Sequence, residues 1–441
     1  MNLWNSRARV KAMVALSAAL ALPLAACSGN SADTDTAQPL DSSKPVTLRI
    51  AWSGSQDRTD RTLKAIDLFK QKHPNVTVNY ESTTSTNFWD KLTTQVAGGN
   101  APDIIQMSGQ TLKQYVTSGV LLNIEPYVDN GSIDLSDWEK PLLDAQTIDG
   151  VLYGIPPGVD AHAIIYNATK LRQLGIAPPT SNWTWDDYTR MVCEIHQKGG
   201  AKYWGSEDGA PQYELLQVFL AQRGKKMFQD GGGLGFADQD VKDLWAIWGD
   251  LQKQGCVVPP AVQQENGANP EGSPVVKDFG AMDWTTSSQF ENFVSLTKDQ
   301  LGLVTYPFAN DGTPGQVWRA GMAWSITKNS KNAAWAAALI NFMVNDPDAG
   351  SALGTSRGVP ASPAIRKLVE GTADAAAKQT FDNLTLVQAT ESAQITPVFP
   401  AGFNDFNKAY QSAYYNYAFG RVGLDDAVKQ FMTAATAAAS E

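Results

Sequence analysis

The chain has 441 residues, of which 43% are hydrophobic and 18% charged, and its formal net charge is -10. This composition is typical of a globular protein, and the length allows two domains. The negative charge argues against a nucleic-acid-binding protein, because contacts to phosphate groups need a basic face.

The first segment has the pattern of a secretory signal peptide, predicted over residues 1–26. Basic residues precede an uncharged, Ala- and Leu-rich run over residues 12–24, which is too short to span a bilayer. The run ends in Leu24-Ala25-Ala26-Cys27, which resembles a bacterial lipobox, so we expect Cys27 to be lipidated. Ordinary cleavage nearby, with an incidental cysteine, is the alternative. Lipidation would anchor the protein on the extracytoplasmic face of the cell membrane without a spanning helix.

The segment after Cys27 is polar and rich in Ser, Asp and Thr up to residue 45. Such a composition buries too little apolar surface to order itself. We therefore expect residues 27–45 to form the lipidated cysteine and a flexible tether, with the folded part beginning at residue 46.

Strand and helix patterns then alternate. VTLRIAW, VTVNYES and DIIQM are strand-like, while RTLKAIDLFKQKH, stopped by Pro74, and NFWDKLTTQVAGG are helix-like. This β-α-β-α-β order predicts a parallel sheet. Ligands of such sheets bind beyond the carboxyl ends of the strands.

A Gly- and Pro-containing crossover, GVLYGIPPGVDAHAIIYN, separates this unit from a mainly helical part. Three helices are predicted there from TWDDYTRMVCEIHQKGG, PQYELLQVFLAQRG and DQDVKDLWAIWGDLQKQG. The pattern predicts further helices in NAAWAAALINFMV and in LDDAVKQFMTAATAAASE at the end of the sequence.

Cys193 and Cys256 lie outside the leader segment. In an oxidising compartment they can form a disulfide, stabilising the fold by roughly 4 kcal/mol; two buried free thiols are the alternative. His73, His162 and His196 lack the spacing of metal ligands, so we expect neither a metal nor another cofactor.

Six stretches of the sequence follow one another in a characteristic order: RTLKAIDLFKQKHPNVTV, KLTTQVAGGNAPDIIQM, DGVLYGIPPGVDAHAIIYN, TWDDYTRMVCEI, MAWSITKNSKNAAWAAALINFMVNDPDAG and RGVPASP. Together they resemble the extracellular solute-binding proteins of carbohydrate ABC transporters, the maltose-binding-protein-like family 1. The resemblance implies an α/β, two-lobe periplasmic-binding-protein-like (type II) fold. Each lobe would be a mostly parallel sheet flanked by helices, with the ligand cleft between the lobes.

The resemblance also implies that each lobe is built from separate chain segments. Lobe one would comprise residues 46–155 and 303–348, and lobe two residues 156–302 and 349–441. The hinge would include residues 152–159 and 302–306, and the lobes would close over the ligand by bending there.

A sugar offers apolar C–H faces, which match aromatic rings, and hydroxyls, which match polar side chains. On the first lobe the candidate ligand-binding residues are Trp52, Ser53, Gln56, Asp57, Arg58, Trp89, Gln106 and Ser108. Core packing is the alternative for Trp52 and Trp89, helix capping for Asp57, and a solvated helix face for Arg58. The family often has an acidic residue near the position of Ser108, which departs from that pattern.

The crossover and the second half of the chain supply further candidates. These are Asp160, His162, Trp204, Asp283, Trp284, Gln289, Trp318 and Arg319. The resemblance implies contact of Asp160 and His162 with ligand hydroxyls, although a lone histidine is often structural. Burial is the alternative for the three tryptophans.

The function implied is a lipid-anchored, monomeric binding protein that captures a sugar or oligosaccharide and delivers it to an ABC permease, with no catalytic residue. The 13 tryptophans favour a carbohydrate over an amino acid. One alternative is an exported glycoside hydrolase whose two carboxylates would be Asp160 and Asp283. The same fold could also bind a polyol or serve a membrane sensor.

Overall fold

The computed structural model describes residues 36–440, apart from Thr84, Asp230, Ala268, Glu391 and Ser392 and the side chains of Ser85 and Thr86. The predicted signal peptide, Cys27 and residues 28–35 of the predicted tether lie outside the described residues.

The strands are β1 (Val46–Ser53), β2 (Val76–Thr83), β3 (Ile104–Met107), β4 (Thr147–Ile148), β5 (Val151–Leu152), β6 (Gly158–Asn167), β7 (Met282–Thr286), β8 (Leu301–Thr305), β9 (Val317–Ala320), β10 (Ala323–Ile326), β11 (Val359–Pro360) and β12 (Gln394–Ile395).

The helices are α1 (Gln56–Lys72), α2 (Ser85–Ala97), α3 (Leu112–Thr117), α4 (Glu125–Asp129), α5 (Lys140–Asp144), α6 (Ala168–Gln173), α7 (Trp185–Gly199), α8 (Tyr213–Ala221), α9 (Asp238–Lys253), α10 (Pro260–Asn266), α11 (Phe290–Leu296), α12 (Ala333–Asn345), α13 (Pro347–Leu353), α14 (Pro363–Gly371), α15 (Ala375–Ala389), α16 (Phe403–Ala418) and α17 (Leu424–Ala438). Two short 3-10 helices span Pro270–Gly272 and Ser287–Gln289.

The first sheet has the strand order β10-β3-β1-β2. β1 pairs in parallel with β2 and with β3, and β10 pairs antiparallel with β3. The predicted β-α-β-α-β order is therefore confirmed. α1 buries Ala65, Ile66 and Phe69 on one face, as its apolar spacing predicts, and ends before Pro74.

The second sheet differs from the expectation of two mostly parallel sheets. β6 pairs antiparallel with β7, β8, β9 and β11, and the parallel pair in this sheet is β9 with β12. β6 is almost wholly buried. Such a strand has the same continuous apolar sequence in either pairing direction, so the pattern did not reveal the orientation.

Two large hydrophobic cores form, and two strands pass between them. Val159 and Ala161 of β6 pack in the first core, which contains β1, whereas Ile164 packs in the second. In β9, Val317 packs in the second core and Trp318 against the first. These strands connect the two halves of the molecule.

The late helices do not pack where the expected boundary at residue 348 places them. Ala349, Ile365 and Leu384, expected in lobe two, lie in the first core with β1. Val304 and Tyr306, expected in lobe one, lie in the second core. An apolar stripe on a helix identifies the face that is buried but not the sheet that this face covers. The sequence pattern therefore could not show that the helices after residue 348 pack on the first core.

The expected disulfide is present. Cys193, in α7, is bonded to Cys256, which follows α9, and their Cα atoms are 4.6 Å apart, within the normal range for a disulfide. The bond ties α7 to the end of α9 at the edge of the second core.

The described helices include none with both the length and the apolar character needed to cross a bilayer.

Candidate functional site

Two adjoining cavities lie where the carboxyl ends of β1 and β3 face β7 and β9. The larger chamber has a volume of about 470 Å³ and the smaller chamber about 240 Å³. The residues that line both are Arg58, Ser288, Gln289, Arg319 and Met322. We call the two chambers together the cleft. Its position follows the rule that ligands of such sheets bind beyond the carboxyl ends of the strands.

Most of the predicted site residues line the cleft. Those in the larger chamber are Ser53, Asp57, Arg58, Gln106, Asp283, Trp284, Gln289 and Arg319. Those in the smaller chamber are Arg58, Trp89, Ser108, Asp160, Gln289 and Arg319. The predicted residues that line neither chamber are Trp52, Gln56, His162, Trp204 and Trp318.

The interpretation of Trp52 as a stacking face is wrong. Its side chain is 0% exposed and packs in the first core, stacked on Tyr80 at 5.6 Å and edge-on to Trp324 at 6.3 Å. Leu48 and Ile50 share the same buried face of β1. The two-residue period of a strand places Trp52 with them, and this was the signal for core packing.

Trp284 is a wall of the larger chamber rather than an open platform. It is 3% exposed, stacks on Trp185 at 6.0 Å and meets Tyr306 edge-on at 4.7 Å. Its Nε1 donates to Ser206 Oγ at 3.1 Å. A Cβ atom at Gly209 would lie 2.9 Å from that nitrogen, so glycine there allows the close approach.

His162 is buried in the second sheet, where its ring stacks on Tyr306 at 5.5 Å. Burial, and then the charge of Arg319, lower the pKa of His162 to about 3, so its ring is neutral. Trp204 lines neither chamber and packs edge-on, at 5.9 Å, behind Phe279 of the larger chamber. His162 and Trp204 are therefore packing residues, as is Trp318, which lies against the first core.

At the start of α1, different residues cap the helix and line the cleft. Ser55, not Asp57, is the N-cap, and its Oγ accepts from Arg58 N. Asp57 pairs with Arg61 at 2.9 Å and lines the larger chamber, while Gln56 is exposed outside the cleft. Arg58 is half-buried, and its Nε donates to the carbonyl oxygen of Ser356 at 2.7 Å.

Asp160 and Arg319 form an ion pair beside both chambers. They face each other across β6 and β9, with Arg319 Nε 2.6 Å from Asp160 Oδ1. Ser288 Oγ donates to Asp160 Oδ2 at 2.8 Å. Burial alone would lower the pKa of Arg319, but the charge of Asp160, its hydrogen bond to Arg319 and the nearby Tyr213 and Glu214 together outweigh burial, and the net pKa is raised. Arg319 is therefore charged, and the ion pair holds both side chains in place.

A buried hydrogen-bonded chain supports the wall formed by β1 and β3. Gln106 Nε2 donates to Ser53 Oγ at 3.2 Å, and Arg357 Nη1 donates to Gln106 Oε1 at 2.9 Å. Arg357 also donates to Thr62 Oγ1 at 3.0 Å, and its guanidinium lies over Trp324. These hydrogen-bond partners of Arg357 are neutral groups.

Two neighbouring carboxylic acids in the larger chamber were only half anticipated, because Asp283 was predicted and Glu207 was missed. Burial, and then the neighbouring Asp283, raise the pKa of Glu207, and burial raises that of Asp283. Gln263 Nε2 donates to Glu207 Oε1 at 3.2 Å. The available signal was the acidic pair Glu207-Asp208 set between two glycines.

The cleft is thus lined by groups suited to a polyhydroxylated molecule. Carboxylates and amides supply acceptors and donors, and three aromatic side chains, Trp89, Tyr213 and Phe399, line the smaller chamber. Tyr213 Oη accepts from Gln110 Nε2 at 2.8 Å, joining α8 to the loop after β3. Among the described residues, no group of three or more His, Cys, Asp and Glu side chains could hold a metal ion.

A family model described as bacterial extracellular solute-binding protein matches residues 64–379, more than half of the chain. The chain therefore belongs to the bacterial extracellular solute-binding proteins.

Among curated relatives, an uncharacterised ABC transporter extracellular-binding protein of Pyrococcus horikoshii is 25% identical over 204 residues, covering 45% of this chain and 46% of the relative. A lactose-binding protein of Rhizobium radiobacter is 23% identical over 279 residues, covering 60% of this chain and 63% of the relative. The chain thus spans less than two thirds of the length of either relative.

Among solved structures, an extracellular solute-binding protein family 1 member from Alicyclobacillus acidocaldarius is similar, with a TM-score of 0.67 and 26% identity. That match covers 91% of this chain and 100% of the other. The fold is the two-lobed type II periplasmic-binding-protein fold, with the cleft between its lobes. The predicted fold class is confirmed, except for the strand directions of the second sheet.

Proposed function

We propose that the protein captures a sugar or oligosaccharide in the cleft by hinge closure and delivers it to the permease of an ABC importer. It acts as a monomer, and lipid on Cys27 holds it to the extracytoplasmic face of the cell membrane. The family supports an extracellular solute-binding role, and the lactose-binding relative supports a carbohydrate.

One observation carries the proposal: polar groups from both lobes converge on one aromatic-lined cleft. Arg58 and Gln106 come from the lobe built on β1, Asp283 comes from the other, and the Asp160–Arg319 pair lies on the crossing strands. Hydroxyl groups bind well to such an arrangement, because a charged acceptor or donor strengthens each hydrogen bond.

The mechanism is closure without a covalent step. β6 and β9 cross between the lobes, so bending close to these strands changes the width of the cleft, and we place the hinge at residues 152–159, which lead into β6, and at β9. The other expected hinge stretch, residues 302–306, lies inside the second lobe, because Val304 and Tyr306 pack in the second core. A ligand that contacts both walls binds the closed state more tightly than the open one. This difference in affinity is what shifts the equilibrium toward closure.

The ion pair also bears on the hydrolase alternative. A glycoside hydrolase needs one carboxyl group to give a proton and another to act as base or nucleophile. Both oxygens of Asp160 already accept hydrogen bonds, Oδ1 from Arg319 and Oδ2 from Ser288. This engagement favours a positioning role for Asp160 and supports binding over hydrolysis.

Thermal unfolding of the mature protein in a panel of sugars and oligosaccharides tests the proposal. A ligand at 100 times its dissociation constant stabilises the folded state by about 2.7 kcal/mol. We expect at least one sugar to raise the melting temperature and to be recovered unchanged by chromatography. Cleaved sugar, or a panel without any stabilising member, would refute the proposal.

A further inference from the structure

The smaller chamber has an excess of positive charge. Arg58, Arg319 and Arg357 line it, and Asp160 is the one carboxylate among the described residues that do so. Asp160 is engaged by Arg319. Neither Arg58 nor Arg357 forms an ion pair with a described residue.

Arg357 is the more unusual of the two. Its side chain is largely buried, with the residue 8% exposed, and none of the ion pairs formed within the described part of the chain includes it. Its Nε has no hydrogen-bond partner in the part of the chain that the structure describes. Burial, and then repulsion from Arg58, lower the pKa of Arg357. An uncompensated buried charge is destabilising, so its place beside a cleft points to a ligand.

Donors remain free for that ligand. Arg58 uses its Nε on the Ser356 carbonyl, and no described residue accepts from its Nη1 or Nη2. Arg319 donates from Nε and Nη2 to Asp160, and its Nη1 has no acceptor among the described residues. Two guanidinium groups thus offer N–H donors at the junction of the two chambers, which both groups line.

The carboxyl groups of the cleft other than Asp160 lie in the larger chamber. Those that line it and not the smaller chamber are Asp57, Glu207, Glu271, Asp283 and Glu291. The cleft is therefore basic at one end and acidic at the other. A ligand with one anionic group has a single favourable direction in it, with that group at the arginines.

We infer that the sugar carries a carboxylate, as a uronic acid does, and that this carboxylate binds at Arg58 and Arg319 with the charge of Arg357 behind them. The planar N–H groups of arginine match a carboxylate. Trp89 and Tyr213 line the same chamber and offer aromatic surface for the sugar ring. The inference rests on the proposed function, because it names the substrate class of the same cleft.

Calorimetric titration of the mature protein tests whether a sugar carboxylate binds at Arg58 and Arg319. The matched probes are uronic acid disaccharides, the same disaccharides reduced at the carboxyl group, and a sulfated disaccharide. We expect the acid to bind at least about tenfold more tightly than its reduced form, equal to ~1.4 kcal/mol. We also expect the affinity for the acid alone to fall as NaCl is raised.

Arg58→Gln provides the variant, and Arg61→Gln, one turn along α1 and outside the cleft lining, provides its matched control. Arg58→Gln should weaken binding of the acid far more than binding of the reduced sugar, so that the preference for the acid is lost. Arg58→Lys should retain part of that preference, because it keeps the charge. Arg61→Gln should keep the preference, and melting temperatures check that each variant is folded.

The possible outcomes separate this inference from the proposed function. Equal affinity for acid and reduced sugar, or tighter binding of the sulfated sugar, would overturn the carboxylate assignment while leaving sugar capture intact. An unchanged preference in Arg58→Gln would overturn the assigned position. If these probes and the neutral panel above all fail to bind, the proposed function itself falls.

Discussion

Trp89 and Trp204 are both half-buried, but of the two only Trp89 lines the cleft. Trp89 also meets Phe88 and Tyr115 edge-on, which fixes the orientation of its ring. An aromatic ring held in this way can contact a sugar with little loss of side-chain entropy on binding. Residue by residue, the position of each tryptophan relative to the cleft decides its role.

We predict that Trp89→Ala weakens sugar binding at least about fivefold, since interface anchors typically contribute more than 1 kcal/mol. Trp204→Ala is the matched control and should weaken binding much less than Trp89→Ala does, because Trp204 lines neither chamber. Fluorescence or calorimetric titration measures both. Equal losses in the two variants would contradict a ligand contact by Trp89.

The buried side chain of Asp208 makes the stability of the protein depend on pH. It is 1% exposed and accepts from Tyr414 Oη at 2.6 Å and from Gln252 Nε2 at 2.9 Å. Burial nevertheless raises its pKa from 3.8 to about 6. Because the folded-state pKa is the higher one, the stability that Asp208 contributes is present below pH 3.8 and is lost as pH rises through about 6.

We therefore predict that Asp208→Asn flattens part of the decline in unfolding free energy between about pH 4 and pH 6. The part removed should be on the order of 2 kcal/mol. Urea unfolding at a series of pH values measures it for the wild type and the variant. An unchanged slope in the variant would show that Asp208 does not hold its proton in the folded state.

Among the elements, α7 and α9 are joined by the Cys193–Cys256 disulfide, across a sequence separation of 63. A crosslink over a loop of that length restricts the unfolded chain, and native disulfides typically contribute about 2–4 kcal/mol. We predict that replacing both cysteines with serine lowers the free energy of unfolding by this amount. Urea unfolding measures the change, and an unchanged midpoint would contradict it.

Some helices and strands could be predicted from the sequence, and others could not. β1, α1, β2 and β3 were predicted because adjacent strand and helix periods repeat in the parallel order. The directions of the strands around β6, and the return of α13 to α15 to the first core, depend on contacts between distant segments. Local periodicity carries no information about those contacts.

The same limit applies to the site. Strand ends correctly indicated Ser53 and Gln106, because the topology alone places them at one rim. Trp52 was misassigned because its position at the strand end was weighed above its register with Leu48 and Ile50. Glu207 was missed because it lies in a loop, joined to Asp283 by tertiary packing alone.

For the whole molecule, the proposed closure brings both walls of the cleft onto a ligand at the junction of the two chambers. Gln289, in the 3-10 helix Ser287–Gln289, lines both chambers. A tryptophan there would fill space that the sugar needs. Gln239→Trp is the matched control, because Gln239 is exposed on α9 and lines neither chamber.

Calorimetric titration of the wild type and these two variants, with a sugar that stabilises the wild type, tests capture in the cleft most directly. We predict one binding site per chain in the wild type and in Gln239→Trp. In Gln289→Trp the affinity should be at least about a hundredfold weaker, because the indole at the junction keeps the sugar from contacting both walls of the cleft. The melting temperatures of the free variants should match that of the wild type. Undiminished binding by a folded Gln289→Trp protein would show that the sugar binds elsewhere.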